Sequence, residues 1–158
     1  MIRHMRNSDW KSVAEIYQQG IDSGIATFTT NCPSFEEWDR YHHRNCRFVY
    51  EQDGKVVAWI AVSPTSSREV YSGSVEMSLY VDYAYHRRGI GTALIEHLKV
   101  EAVKAGYWSL YSVIFSINVA SIELNRKCGF REIGYRERPA RDKFGNWQNT
   151  TLMEYRAP

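Results

Sequence analysis

A strand-like segment that runs through a basic, glycine-containing turn directly into a helical pattern constrains this chain more than any other feature. The strand signal ends at Val81, a helical pattern covers Gly91 to Ala105, and the turn between them contains His86-Arg87-Arg88-Gly89-Ile90-Gly91. Glycines let a ligand approach the backbone closely, and the free N–H groups and dipole of a helix start favour an anion. The segment therefore predicts a strand–turn–helix unit that binds a diphosphate.

The spacing in this turn excludes two common phosphate-binding loops. A Walker loop requires Gly-Lys-Ser/Thr, and a dinucleotide fingerprint requires a third glycine and an acidic residue about 20 positions further on. Neither pattern is present. On the turn alone, a tight strand–helix connection with solvated arginines remains the alternative interpretation.

Hydrophobic patterns elsewhere alternate between helix and strand. We predict a helix capped by Asn7 or Ser8 that ends at Gly20, a second that begins at Ser34, and a short one from Asn118 to Cys128. Ser34 and Glu37 have the spacing of a capping box, in which each side chain satisfies the other's backbone N–H. Further strands are predicted at Ile2–Arg6, Arg47–Glu51, Lys55–Val62, Val75–Val81, Trp108–Phe115, Phe130–Tyr135 and Thr151–Arg156.

These elements fit one domain over residues 1–158, of the α/β or α+β class, with a mixed central sheet. Asp53-Gly54 predicts a tight hairpin between two of the strands. The third long strand alternates, so that Glu76 lies on the face opposite its aliphatic row. Arg136 to Lys143 is interpreted as a solvated loop, because its basic residues are interrupted by acidic ones.

Composition narrows the classes of function. The 20 Lys and Arg residues against 18 Asp and Glu give a net charge of only +2, which gives no case for nucleic acid or an acidic membrane as partner. No run approaches the roughly 18 apolar residues of a membrane helix, and Met1 to Arg6 lacks the apolar core of a signal peptide. The 3 cysteines include no C-x-x-C pair. We expect a soluble protein of a reducing compartment, the cytoplasm.

Two motifs together resemble the GNAT acetyltransferase superfamily. His-Arg-Arg-Gly-Ile-Gly-Thr-Ala-Leu, from His86, resembles its acetyl-CoA pyrophosphate loop, and Asn118-Val-Ala-Ser121 with Gly129-Phe130 resembles its downstream Asn-x-x-Ser…Gly-Phe element. Further segments resemble the phosphinothricin N-acetyltransferase branch, which includes methionine sulfoximine acetyltransferases. These segments are Ile25-Ala26-Thr27-Phe28, Ser63-Pro64, Val75 to Val81 and Lys143-Phe144-Gly145-Asn146-Trp147.

The resemblance spans the whole chain and implies a twisted mixed sheet splayed at an acetyl-CoA cleft. It also implies a homodimer acting on a small-molecule amine, with no metal. Backbone groups of the strand would bind pantetheine, residues of the turn would bind pyrophosphate mainly through N–H groups, and the downstream helix start would face the pantetheine arm. The strand residues are Leu79, Tyr80 and Val81, and the turn residues are Arg87, Arg88, Gly89, Ile90, Gly91 and Thr92. The residues at the helix start are Asn118 and Ser121. Asn118 is equally well placed as a plain helix cap.

The resemblance makes Glu76 the candidate general base, acting through water. An alkyl amine with a pKa of about 10 is mostly protonated at neutral pH, so a proton acceptor assists its attack on the thioester. The alternative roles for Glu76 are a solvated surface charge or an anchor for the substrate ammonium. A backbone N–H between Leu79 and Val81 would donate to the developing oxyanion.

Two residues depart from the family pattern. His86 occupies a position that usually holds Gln or Arg, which could weaken CoA binding or make it sensitive to pH. Asn125 occupies the position of the Tyr or His often assigned to protonate the leaving thiolate, and an amide is not a general acid. A thiol with a pKa near 8.5 leaves as a reasonably stable anion, so water can supply that proton.

For the acceptor, the resemblance implies Phe28, Ser78, Arg68 and Tyr71, with Arg68 facing the carboxylate of an amino acid or analogue. Solvent exposure is the other interpretation of Arg68. Charged residues that are common in this branch are replaced here by Ser66, Ser72 and Asn149. These replacements count against phosphinothricin as the acceptor more than they count against acetyl transfer.

The cysteines and histidines of the chain indicate neither a nucleophile nor a metal site. Cys128 is interpreted as a packing residue and not a nucleophile, and the arrangement of Cys32, His42, His43 and Cys46 matches no usual zinc spacing. The competing functions are acetylation of a protein or peptide amine, and a catalytically weak CoA-binding regulatory module.

Overall fold

Seven strands form one mixed sheet in the computed structural model, which describes residues 1–158. The strands are β1 Ile2–His4, β2 Phe48–Gln52, β3 Lys55–Pro64, β4 Ser74–Val81, β5 Ser109–Phe115, β6 Arg131–Arg141 and β7 Trp147–Arg156. Their order in the sheet is β1-β2-β3-β4-β5-β7-β6, and all neighbouring strands are antiparallel except β4 and β5, which are parallel. The helices are α1 Trp10–Ser23, α2 Phe35–Tyr41, α3 Ile90–Lys104 and α4 Val119–Lys127. The predicted fold class is confirmed.

The parallel strands β4 and β5 are paired over only part of their length. Their register comprises Ser74 with Ser109, Val75 with Leu110 and Glu76 with Tyr111. Beyond these residues β4 remains paired with β3 as far as Val81, while its other edge has no partner. The sheet therefore splays open at its centre.

Helices cover the sheet on both faces. A cluster of 18 buried residues lies on the α3 and α4 face and includes Leu94, Leu98 and Phe130. A smaller cluster of 7 lies on the α1 and α2 face, where Trp38 and Val13 pack near Trp59. None of the helices combines the length and apolar character that crossing a bilayer requires.

The first helix differs at both ends from its prediction. A 3₁₀ turn over Asn7–Asp9 precedes α1, and the Asp9 carboxylate accepts both the Arg6 N–H at 2.7 Å and two guanidinium bonds from Arg3 at 2.9 Å. The helix continues through Gly20, and Gly24 ends it with a φ of 72°. Gly20 marks a close helix–sheet contact and not a helix end.

The last two strands are also longer than predicted. The interpretation of Arg136 to Lys143 as a loop is wrong, because β6 extends to Arg141 and β7 begins at Trp147. The turn between them is formed by Asp142, whose carboxylate accepts the N–H groups of Phe144 and Asn146. In the sequence, an aspartate that can form an Asx turn indicates this connection, but the prediction relied on the alternating charges instead.

Two local predictions can be compared directly. Asp53 and Gly54 have φ angles of 52° and 76°, as a tight hairpin requires. Ser34 accepts the Glu37 N–H as predicted, but the Glu37 carboxylate accepts the Ser34 hydroxyl at 3.1 Å and not its backbone N–H.

Candidate active site

A cleft of about 1420 Å³ passes between the diverging strands, so that its lining comes from both faces of the sheet. We call the part beneath α1 and α2 the α1/α2 half, and the part beside α3 and α4 the α3/α4 half. Most of the sequence-predicted site residues line this cleft. They are Phe28, Glu76, Ser78, Leu79, Tyr80, Val81, Arg87, Gly89, Ile90, Gly91, Thr92, Asn118 and Ser121.

The free edge of β4 supplies backbone groups to the gap. The Asp82 N–H donates to the Val57 carbonyl at 2.8 Å, which makes this opposed pair hydrogen-bonded. Hydrogen-bonded pairs alternate along an antiparallel ladder. The backbone of Tyr80, opposite Trp59, is therefore directed to β3, whereas Leu79 and Val81 face the gap. The expectation that Tyr80 offers backbone groups there is wrong for this reason; its side chain lines the cleft instead.

The turn from β4 to α3 has the form that its sequence predicts. Arg87 has a φ of 63°, and Gly89 has a φ of 79° immediately before the helix. A Cβ at Gly89 would meet no protein atom within 4 Å, so a ligand can approach the backbone there. The first N–H groups of α3 have no acceptor within the helix. Together with the Arg87 charge, these groups fit a diphosphate.

Two side chains of the turn are directed elsewhere. The His86 Nε2 lies 2.8 Å from the Val81 carbonyl oxygen and ties the turn to the end of β4. Arg88 does not line the cleft, because its guanidinium lies over the ring of Tyr85, 5.0 Å from the centroid. Of the two arginines, only Arg87 faces the cleft.

Glu76 is the carboxylate nearest the point where the strands separate. It is half-buried on the α1/α2 face and has neither a hydrogen bond nor an ion pair with another side chain. Burial raises its pKa above the ordinary value. A carboxylate with a raised pKa and no partner is suited to accepting a proton.

A buried polar cluster borders the α3/α4 half. Asn118 caps α4 by accepting the Ser121 N–H at 3.2 Å. Asn125 is 3% exposed; its Oδ1 accepts the Ser112 hydroxyl at 3.0 Å, and its Nδ2 donates to the Ser121 carbonyl at 2.8 Å. Sequence reasoning missed Ser112, whose signal was a serine at an inward position of a buried strand.

Aromatic side chains wall the α1/α2 half. The ring of Tyr80 lies 4.9 Å from Tyr17 and 5.1 Å from Trp59, and Phe28 lies 4.6 Å from Phe115. Apart from Phe28, these side chains were not predicted to form the site. Their sequence signals were ordinary core positions of a helix and a strand, which do not distinguish a site wall from a core.

The structure does not bring Arg68 and Tyr71 to this cleft. Both are exposed on the β3–β4 loop, with the Arg68 guanidinium 5.8 Å from the Tyr71 ring. Tyr71 instead lines a separate depression of about 360 Å³ with Tyr111. The β3–β4 loop passes away from the splayed end of the sheet.

The cysteines and histidines have structural surroundings. Burial raises the pKa of the Cys128 thiol and raises that of Cys46 to about 11, so both are protonated and poorly nucleophilic near neutral pH. Burial lowers the pKa of His42 to about 4, and its ring stacks on Trp38 at 4.3 Å. No cluster of three or more His, Cys, Asp or Glu side chains is arranged to hold a metal ion.

This chain is similar in sequence to known acetyltransferases. Residues 10–130 match the model of the acetyltransferase (GNAT) family. An L-methionine sulfoximine/L-methionine sulfone acetyltransferase of Pseudomonas aeruginosa is 33% identical over 97% of this chain and 92% of its own length. A phosphinothricin N-acetyltransferase of Streptomyces viridochromogenes is 28% identical over 97% of this chain and 85% of its own.

A solved structure agrees with these matches. A GNAT superfamily phosphinothricin acetyltransferase from Sinorhizobium meliloti, in complex with acetyl-CoA, superposes with a TM-score of 0.89 and 26% identity, covering 99% of this chain and 88% of that one. The chain therefore belongs to the acetyltransferase (GNAT) family, in the branch of the phosphinothricin and methionine sulfoximine acetyltransferases, and is an acetyl-CoA-dependent N-acetyltransferase.

Proposed function

We propose that this enzyme transfers the acetyl group to the primary amine of a small molecule, an amino acid or an amino-acid analogue, by direct attack of the amine on the thioester. One observation carries the proposal: a single cleft joins the glycine-containing turn before α3, on one face of the sheet, to the unpaired carboxylate of Glu76 on the other. The names of the relatives, which include phosphinothricin and methionine sulfoximine acetyltransferases, support the acceptor class.

The α3/α4 half has the groups that acetyl-CoA requires. The N–H groups from Gly89 to Thr92 and the charge of Arg87 would hold the pyrophosphate, and Asn118 and the gap-facing backbone of Leu79 would lie along the pantetheine arm. When bound, acetyl-CoA supplies an activated acyl group on a sulfur leaving group. The rest of the reaction depends on residues of this chain.

Glu76 prepares the amine. A protonated amine has no lone pair with which to attack, and its pKa of about 10 keeps it charged at neutral pH. The Glu76 carboxylate, with its raised pKa and no competing partner, accepts that proton through water. The Leu79 N–H, on the free edge of β4, donates to the acyl oxygen as it gains negative charge.

The leaving sulfur receives its proton from water in this proposal, and the amine nitrogen gives its second proton to water as the amide forms. Asn125 has no titratable proton, and its amide is already held by Ser112 and Ser121. Cys128 is buried and protonated, so no acetyl-cysteine is formed on the route. Binding both reactants in one cleft supplies the proximity that direct transfer needs.

The wider setting is proposed on family resemblance. We expect one transferase domain over residues 1–158, a homodimer, and a cytoplasmic role in detoxification of an amine. Light scattering during size-exclusion chromatography tests the dimer directly.

The test of the function is release of CoA thiol from acetyl-CoA with a panel of free amines. The panel contains phosphinothricin, methionine sulfoximine, polyamines and an N-terminal peptide, and each product is identified by mass spectrometry. Glu76→Gln is compared with Glu132→Gln, which removes an exposed carboxylate of β6. We expect amine-dependent release that falls only in Glu76→Gln. Acetyl-CoA binding with no transfer to any amine would instead identify a CoA-binding regulatory module.

A further inference from the structure

One cation that lines the cleft has no role in the reaction proposed above. The lysine and arginine side chains of the lining are Arg87, in the turn before α3, and Lys127, in the last turn of α4. Arg87 belongs to the proposed pyrophosphate site. The Lys127 side chain is exposed and forms neither an ion pair nor a hydrogen bond with another residue. Its ammonium group is therefore available to a ligand of the α3/α4 half.

The path of α4 places Lys127 beyond the start of α3 when this half is followed outward from the gap. The cap residue Asn118 lies shortly after the end of β5, where β4 and β5 have separated. Leu124 touches the first turn of α3, since a Cβ at Gly91 would lie 3.0 Å from the Leu124 Cδ2 atom. Lys127 follows Leu124 by three residues, on the same side of the helix and about 4.5 Å further along its axis. The order along this half is therefore the gap, the start of α3 and Lys127.

This order matches the order of the groups in acetyl-CoA. The thioester and pantetheine come first, the pyrophosphate follows, and the adenosine with its 3′-phosphate forms the other end of the molecule. With pantetheine in the gap and the pyrophosphate at the turn, the nucleotide would lie beyond the turn, on the side of Lys127. A phosphate monoester carries a charge of about −1.5 to −2 near neutral pH. A lysine without a counter-ion is suited to binding it.

The neighbouring cations are less suited to this phosphate. The guanidinium of Arg126, adjacent in the sequence, lies 2.7 Å from the Glu123 carboxylate. Arg88 lies over the ring of Tyr85, 5.0 Å from its centroid, and is outside the cleft lining. Of these three cations, only Lys127 both lines the cleft and lacks a partner.

We infer that Lys127 binds the 3′-phosphate of acetyl-CoA, so that the enzyme distinguishes CoA and its thioesters from their 3′-dephospho forms. The inference rests on the proposed function, because it uses the arrangement of acetyl-CoA given there. It concerns binding alone, and no bond of the phosphate is made or broken. The contact is exposed to solvent, so added salt should weaken it.

Calorimetry with CoA and 3′-dephospho-CoA tests the inference without turnover. Lys127→Gln removes the charge, and Arg126→Gln is the control, because it removes the neighbouring charge at the same helix end but lies outside the cleft lining. We expect the wild type to bind CoA about fivefold more tightly than 3′-dephospho-CoA at low salt. Lys127→Gln should abolish this preference by weakening the binding of CoA alone. Lys127→Arg and Arg126→Gln should keep it.

Kinetics with acetyl-CoA and its 3′-dephospho form give a second readout. Lys127→Gln should raise KM for acetyl-CoA more than it lowers kcat, since the phosphate is remote from the reacting carbonyl. Equal weakening of both ligands by Lys127→Gln would place this lysine at the pyrophosphate, and equal affinity of the wild type for both would leave the 3′-phosphate in solvent. Either result would overturn the inference. No transfer to any amine by a protein that keeps its preference for CoA would overturn the proposed function alone.

Discussion

Gly20 of α1 lies in close contact with Tyr80 of β4. Replacing Gly20 by alanine should therefore lower the free energy of unfolding, and a second mutation at Tyr80 should reverse the sign of this effect. A Cβ at Gly20 would lie 2.6 Å from the Cδ1 and Cε1 atoms of Tyr80, whereas ordinary contact begins at 3.4 Å. The ring would have to withdraw by about 1 Å, and Tyr17 and Trp59 confine it on its other sides. Gly20→Ala therefore overpacks the wall of the cleft.

Two opposing effects set how far Gly20→Ala changes the free energy of unfolding. Overpacking a filled site costs about 1–3 kcal/mol, while alanine is favoured over glycine inside a helix by up to about 1 kcal/mol. We expect Gly20→Ala to lower the free energy of unfolding by about 1 kcal/mol. In a Tyr80→Ala background the ring is absent, so the same substitution should raise the free energy of unfolding by up to about 1 kcal/mol.

Urea denaturation followed by far-ultraviolet circular dichroism measures all four proteins of this cycle. The expected coupling between Gly20 and Tyr80 is about 2 kcal/mol. Gly20→Ala should also raise KM for the amine, since the displaced ring lines the α1/α2 half. Stabilisation by Gly20→Ala of the same size in both backgrounds would refute the packing argument.

Three further predictions concern the site and the fold. In the wild type, kcat/KM should rise with pH through the raised pKa of Glu76; Glu76→Gln should lose this limb and about 10²–10⁴-fold of the rate, and a retained limb would reassign the base. Gly89→Ala forces a side chain to a φ of 79°, which costs about 1–2 kcal/mol, and should weaken acetyl-CoA binding in calorimetry at least tenfold, whereas unchanged affinity would place the pyrophosphate elsewhere. Arg3 lowers the pKa of Asp9 below its ordinary 3.8, so the stability that Asp9 contributes is present above that pH and is lost as the pH falls through the lowered pKa. The difference in unfolding free energy between wild type and Asp9→Asn should therefore shrink in acid; a constant difference would contradict this linkage.

Features that depend on a few neighbouring residues could be predicted from the sequence. The turn from His86 to Gly91 is recognisable because the requirements of an anion site, glycines and a helix start, are local. The face on which Glu76 lies follows from strand alternation alone. The strand–turn–helix form and the strand face of Glu76 are both found in the structure, whereas anion binding by the turn stays a prediction.

Features that depend on how distant elements meet could not be predicted. The charge of Arg68 suggested a carboxylate anchor, but the path of its loop is set by tertiary packing that no local pattern encodes. Tyr17 has the spacing of a core residue, and only the splay between β4 and β5 opens a cleft beside it. The bonds of Asn125 to Ser112 and Ser121 likewise require β5 and α4 to be placed together.

A single-turnover reaction analysed by mass spectrometry tests the central claim most directly. The enzyme is mixed with acetyl-CoA and methionine sulfoximine and quenched at successive times. The masses of the intact protein and of the amine are then measured. Direct transfer in this cleft predicts that N-acetylated amine appears as CoA is released and that the protein mass never changes. An acetylated protein that forms and decays before the product, or CoA released by hydrolysis with no acetylated amine, would contradict it.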